Sequence, residues 1–384
     1  MEYTKLKCIN QYKSESINPA KTPDTIFEMY SVPVYETGHP EYLRGDEIAS
    51  NKAVVQKDDI LLCKINPRIN RVWVVSNESD KQNIASSEWI VIRNSEYNPE
   101  FLAWYFRTPK FQKLMTSEVT GIGGSLTRAQ PKCVAEYPVP VMDRKKQDEI
   151  VNVLNKCKFV VDSRQKELLE LDDLIKARFV EMFGNPLDGT AKYPIHQVGE
   201  IANSVDPQPS HRTPPIDEDG IPYVSIKDCD YKTGKIDFEG ARKVSRKVLE
   251  EHLNRYTLHD GDFVIGKIGT IGNPVFVPAR DDYTLSANVI LVQPNSKLVS
   301  PYFLKYSFES DFVERQFAEA KNSTSQAAFG IQKVRTVEVM NPDLSVQMGF
   351  EDFVKQVDKS KLLVQKSLDE TQVLFNSLMQ KYFG

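Results

Sequence analysis

Cysteine is scarce and scattered in this sequence. The five residues, Cys8, Cys63, Cys133, Cys157 and Cys229, form no C-x-x-C pair and leave an odd count. Such a set builds neither a disulfide framework nor a thiolate zinc site, and it fits a reducing cytoplasm. Histidine is as thin: His39, His196, His211, His252 and His259 show no metal-ligand spacing, and each is expected at the surface. Long apolar runs are missing too. The longest are pieces such as Trp89-Ile90-Val91-Ile92, far short of the ~18 residues of a membrane span. The opening MEYTKLKCIN lacks the apolar core of a secretory signal. An excess of basic charge is also absent. Forty-nine Lys and Arg against 53 Asp and Glu give −4, the wrong sign for a chain that must hold DNA unaided.

What is present is ordinary globular material: 384 residues, 40% hydrophobic and 27% charged, enough for two or three domains at ~150 residues each. The chain repeats itself. KDDILLCKINPRINRVWVV (57–75) lies on HDGDFVIGKIGTIGNPVFV (259–277), aligning Asp59 with Asp262 and Lys64 with Lys267. SSEWIVI (86–92) then lies on SANVILV (286–292), and NPEFLAWYF (98–106) on SPYFLKYSF (300–308). YPVPVMDRKKQ (137–147) meets VEVMNPDLSVQ (337–347), and Phe183-Gly184 meets Phe383-Gly384. An ordered series at a nearly constant spacing is a tandem duplication.

Each half runs in the same order. Short β-type runs come first, then a proline-started amphipathic helix (Phe101 to Phe106, Tyr302 to Phe308). A polar loop follows, GIGGSLTRAQPK (121–132) or NSTSQAAFGIQK (322–333), and then a proline-containing strand and a long helix. In the first long helix, positions alternately four and three apart include Ile150, Leu154, Cys157, Val161, Leu168, Leu171 and Ile175. In the second they include Phe350, Val354, Val357, Val364, Leu368, Phe375 and Leu378. This is a heptad seam. A helix over 147–183 would be ~55 Å long, longer than one small domain covers, so the two helices are expected to pair antiparallel.

Catalytic apparatus is not found. The G-x-x-x-x-G-K-[ST] loop is missing. Asn98-Pro99, Asn185-Pro186 and Asn341-Pro342 lack the doubled proline and aromatic of an amino-methyltransferase motif. Phe183-Gly184-Asn185 reads as a helix stop, and GKIGTIGN (266–273) as a tight turn rather than a phosphate loop.

With the duplication and both helices in place, the chain resembles the specificity subunit of type I restriction–modification systems. The resemblance rests on ARKVSRKVLEEH (241–252), read as a basic helix, followed by GDFVIGKIGTIG (261–272). It also rests on YPVPVMDRKKQDEIVNVLNK (137–156), LDDLIKARFVEMFGNP (171–186) and IHQVGEIANSVDPQP (195–209). It covers the whole chain, departing at Cys63 and Asn66, where glycines are usual. It implies an α+β protein with two pseudo-symmetric recognition domains, 1–143 and 185–343. Spacer helices over 144–184 and 344–384 would form an antiparallel coiled coil.

The implied function is non-catalytic: each domain reads one part of a bipartite, asymmetric site in double-stranded DNA. The helices set the gap and dock modification (methyltransferase) subunits, and a restriction (endonuclease) subunit joins to cut. The chain itself would carry no cofactor, the methyl donor and ATP belonging to the partner subunits. A coiled-coil adaptor that never touches DNA is the competing reading; it would need no differing loops.

Neither recognition half is basic: 1–143 carries 17 basic and 18 acidic residues, and 192–343 carries 18 and 21. Candidate DNA contacts are therefore local. Arg128, Gln130, Gln326, Gln332 and Lys333 lie in the polar loops and have donor and acceptor sets suited to base edges. Lys64, Arg68, Lys267 and Thr270 sit on the matched turns. Ser210, His211 and Arg212 open the second half, and Arg242 and Lys243 belong to its basic cluster. For each, an exposed residue of a solvated loop or helix face is the plain alternative.

Overall fold

The computed structural model describes residues 2–120, 127–210, 212–231, 233–267, 272–322 and 330–384. It divides into two compact units, Met1–Arg164 with Ser367–Gly384, and Gln165–Lys366. Two 40-residue helices, Arg144–Phe183 and Leu344–Phe383, each supply residues to both units.

The units repeat one plan. In the first, strand Ile60–Cys63 pairs antiparallel with Val72–Val74 and with Trp89–Ile92. In the second, Phe263–Gly266 pairs with Val275–Phe276 and with Val289–Pro294. A further sheet stands beside each: five strands around Ile26–Tyr30 in the first unit, three around Ile221–Val224 in the second. Each unit is closed by its own ends. Tyr3 pairs with Pro140, and Ile195 pairs with Met340, joining the opening strand to the strand before the long helix.

The matched short helices are Pro99–Phe106 and Pro301–Phe308. Proline sits at the first turn of each, where its missing N–H costs nothing, and Asn98 or Ser300 caps it. The second is amphipathic as expected, burying Phe303, Leu304, Ser307 and Phe308. The first is not: all six residues from Phe101 to Phe106 are buried, because that helix is covered by the strands on one side and by the long helices on the other.

A buried glutamine fastens each short helix to the start of a long one. Gln147, 1% exposed, accepts the Asn98 N–H at 2.8 Å and donates to Met142 O at 2.7 Å. Gln347 does the same for Ser300 at 2.7 Å and Pro342 O at 2.7 Å.

The long helices run antiparallel, as packing inside each unit shows. In the first unit Ile150 and Leu154 share a core with Phe375, Leu378 and Phe383. In the second, Ile175, Phe179 and Phe183 share one with Phe350, Val354 and Val357. Both helices end on a phenylalanine docked on a short helix. Phe383 lies 5.3 Å from Phe101 between ring centres, and Phe183 lies 4.8 Å from Phe303. Gly184 stops the first helix at φ +79°, a left-handed conformation that glycine tolerates. A Cβ there would also collide with Thr190 O at 1.9 Å.

Two further expectations are corrected. The basic run 241–252 is not one helix: Lys243–Val244 is a strand paired with Ile221–Val224, and only Arg246–Leu253 is helical. Val244 alternates inward while Lys243 points out, the period of a strand. His252 is not at the surface but 1% exposed, since it sits on the inner face of that helix.

Tryptophan fluorescence reports the first unit alone, because Trp73, Trp89 and Trp104 all lie there. Phe383→Ala should therefore lower the fluorescence-detected denaturant midpoint by the equivalent of about 3–5 kcal/mol, the usual cost of emptying a buried phenylalanine site. An unchanged midpoint would mean that this docking does not stabilise the unit.

Candidate nucleic-acid interface

The duplication places the same backbone device in each unit. Before the central strand sits a buried aspartate. Asp59 accepts the Gln56 N–H, and Asp262 the His259 N–H, both at 2.9 Å through Oδ2. After the strand, Lys64 N–H donates to Glu88 O at 3.0 Å and Lys267 N–H to Asn288 O at 2.9 Å. The side chains then diverge. Asp59 takes both arms of Arg93 at 2.6 and 2.7 Å. Asp262 instead takes the Gln293 amide at 2.7 Å, with His259 Nδ1 at 3.7 Å, and burial pushes its carboxyl up, opposed by hydrogen bonds from Gln293 and His259.

Each unit has a cleft, and the two share the matched positions Ser14 and Asp206, Pro131 and Ile331, and Ala135 and Arg335. The second unit's cleft, about 710 Å³, is lined by Asp206, Thr213, Lys267, Asn288, Gln332, Lys333 and Arg335, among others. The first unit's, about 320 Å³, is lined by Lys7, Asn10, Tyr12, Ser14, Trp89, Ile90 and Pro131, among others. The register confirms the match. Leu6 N–H donates to Tyr137 O as Val198 N–H does to Val337 O, at 2.9 and 2.8 Å. The first cleft carries one charged side chain, Lys7, and the second carries Asp206, Lys267, Lys333 and Arg335.

The candidate contacts fall into several places. Lys267, Gln332 and Lys333 meet at the second unit's cleft. Lys267 is 5% exposed and ion-paired with Asp206 at 2.6 Å, so it builds the cleft wall. Lys333 Nζ donates to Ala320 O at 3.0 Å. In the first unit, Lys64, Arg128 and Gln130 are gathered together. Ala129 N–H donates to Lys64 O at 2.8 Å, Arg128 pairs with Glu88 at 3.0 Å, and Gln130 donates to Thr120.

Arg68 is exposed in a separate turn, its carbonyl held by Gln112 at 2.6 Å. Ser210 and Arg212 are exposed on one loop, where Gln208 Nε2 donates to Ser210 Oγ and to Arg212 O. Arg242 and Lys243 are not brought to the cleft. They donate to Pro214 O at 2.6 Å and Glu218 O at 3.4 Å, tying down the preceding loop. His211, Thr270 and Gln326 lie outside the described residues.

Asp206, Asn288 and Arg335 escaped the sequence reading. Position 335 had a visible signal, the exchange of Ala135-Glu136 for Arg335-Thr336 between the repeats.

The loop bearing Ser210 and Arg212 hangs on His252. Its Nε2 meets Gln208 Oε1 at 2.5 Å, and its Nδ1 meets Thr284 Oγ1 at 2.7 Å. Since Oε1 can only accept, Nε2 carries the proton and Nδ1 accepts. Burial, with the Arg255 charge second, lowers this imidazole to about 4.

Among the described residues, no group of three or more His, Cys, Asp or Glu could hold a metal ion. No described helix is long and apolar enough to cross a membrane.

The chain is therefore built as two repeated units that share a pair of long helices. The family model "Type I restriction modification DNA specificity domain" matches residues 193–371. The type I restriction enzyme EcoBI specificity subunit of Escherichia coli is 20% identical over 163 residues, 42% of this chain and 34% of that protein. The chain thus spans about a third of the length of the curated relative it matches.

Two solved structures show the same fold across 100% of this chain. One comes from a study of complex assembly and conformational transition of the type I restriction–modification system, with TM-score 0.60, 17% identity and 97% of that chain covered. The other is the type I restriction–modification S subunit of M. genitalium, with TM-score 0.60, 12% identity and 96% covered. Residues 193–371 are thus similar in sequence to the type I restriction modification DNA specificity domain, and the whole chain shares the fold of these two solved structures.

The buried histidine gives a pH prediction. Between pH 6.5 and about 4 the unfolded chain takes up a proton here that the folded chain refuses, so stability falls as pH falls through that window. The drop in Tm from pH 7.5 to 5.0 should be smaller in His252→Gln than in the parent. An equal drop in both proteins would rule this out.

Proposed function

We propose that this chain is the DNA-reading, non-catalytic subunit of a type I restriction–modification complex. Residues 1–143 and 185–343 act as recognition domains, and 144–184 and 344–384 as spacer helices. The observation that carries this reading is a duplicated frame whose matched backbone positions bear different side chains. That is what two different half-sites read by one scaffold require.

Base edges would be met by the candidates on the exposed rims, Lys64, Arg68, Arg128, Gln130, Ser210, Arg212, Gln332 and Lys333. Lys267 would shape its cleft from within. His211, Thr270 and Gln326 remain candidates by sequence, and Arg242 and Lys243 would act by holding the loop beside them.

Partner docking has a physical motive. The long helices leave Phe159, Leu169, Leu362, Leu363 and Val373 exposed, more large apolar surface than isolated helices in water favour. Modification subunits covering it would bring the methyl donor and additional grip on phosphates, which the chain's charge of −4 leaves weak. A restriction subunit bringing ATP-driven cleavage would complete the assembly in the cytoplasm. An adaptor that never contacts DNA would share the helices but not the divergent clefts.

Co-expression with a modification subunit, followed by methylome sequencing, tests the proposal. A bipartite methylated sequence supports it; methyl transfer by the purified chain alone ends it. The spacer role predicts more. Seven residues added between Val161 and Leu168, and seven between Val364 and Leu368, keep the seam in register. At ~1.5 Å per residue and ~3.4 Å per base pair, the gap should grow by about three base pairs with both half-sites unchanged. An unaltered gap would show that the helices do not measure it.

A further inference from the structure

The matched clefts differ in where they carry a cation. In the first unit Lys7 and Ala135 stand side by side, with Lys7 N–H donating to Ala135 O at 2.8 Å. Their counterparts in the second unit are Gly199 and Arg335. A Cβ on Gly199 would lie 3.2 Å from Arg335 Cβ, so the glycine leaves room for the arginine's helix turn. The cation has moved from the short opening helix, Leu6–Ile9, to the short helix Ile331–Arg335, and its neighbour has changed too. In the first unit Glu136 binds Lys7 at 2.5 Å and Lys5 at 2.9 Å, offsetting part of their charge. At the matched place the second unit has Thr336.

Arg335 donates to Ser204 O at 3.2 Å and has no carboxylate partner among the described residues. It lines the cleft with Lys333, while Lys267 and Asp206 neutralise each other there. A guanidinium that spends one of its five donors on a carbonyl keeps its charge and a fork that fits a phosphate.

We propose that the second unit's cleft is a phosphate-binding site centred on Arg335, and that the first unit's matched cleft is not. The two halves then grip nucleic-acid backbone unequally, the second holding a phosphate through Arg335 and the first holding none at its matched place. This rests on the DNA-reading proposal for the source of the phosphate, but not for the site itself.

Two arms test it on the full chain. In the first, affinity for a B-form duplex of arbitrary sequence is measured by fluorescence anisotropy across a salt series. Each phosphate contact contributes about 0.9 to the slope of log affinity against log salt. Arg335→Gln should lower the slope by about that amount. Thr336→Glu, which keeps the arginine and supplies the missing carboxylate, should do the same. Glu136→Thr should raise it by releasing Lys5 and Lys7.

In the second arm, inorganic phosphate at constant ionic strength should raise the Tm of the parent and not of Arg335→Gln. A lowered slope identifies duplex backbone as the occupant. Phosphate protection with an unmoved slope identifies the free anion and removes the DNA source. A parent that binds no duplex at any salt overturns the DNA-reading proposal, and the phosphate arm alone then decides the site. An unmoved slope together with equal phosphate protection in the parent and Arg335→Gln overturns the inference.

Discussion

A 40-residue helix is about 60 Å long, and no single small unit can cover its apolar side. The whole chain is organised around that mismatch. Each long helix begins on its own half's short helix, fastened by Gln147 or Gln347, and ends on the other half's, where Phe383 meets Phe101 and Phe183 meets Phe303. Burying these rings, each worth roughly 1.5–3 kcal/mol of transfer free energy, requires segments far apart in the chain, Phe101 with Phe383 and Phe183 with Phe303, to meet. Neither half therefore completes its core from its own sequence.

The same arrangement separates scaffold from specificity. Positions that hold the frame together have the same chemistry in both units: the buried aspartate before the central strand, the lysine turn after it, the glutamine clamp, the terminal Phe-Gly. Positions around the clefts do not. Arg93 is replaced by Gln293, Ser14 by Asp206, Glu136 by Thr336. Backbone hydrogen bonds fix where these side chains stand and are indifferent to what they are, so chemistry at the rim changes without disturbing the fold.

Much of the architecture was legible in the sequence because it is carried by periodicity. The duplication, the heptad seam of Ile150 to Leu378, the proline-started short helices and the Phe-Gly stops are all local or repeating patterns. Burial was less legible. Phe101–Phe106 alternated plausibly as an amphipathic helix, yet the long helices cover its second face, a contact no local window contains. The run 241–252 was misread for the same reason. Its first residues are held extended by pairing with Ile221–Val224, and a long-range strand partner overrides helix propensity.

For the candidate site, the sequence by itself determined the residue types available: polar loops, scattered cations, no catalytic set, and an acidic balance that denies either half a broad basic face. Only the tertiary structure decided which of them share a surface. It gathered Lys267, Gln332 and Lys333 with Arg335 at one cleft, turned Lys267 inward onto Asp206, and left Arg242 and Lys243 elsewhere. The physical reason is that a charge acts through its neighbours in space. The partners that partly offset Lys7 or leave Arg335 without a carboxylate lie more than a hundred residues away along the chain.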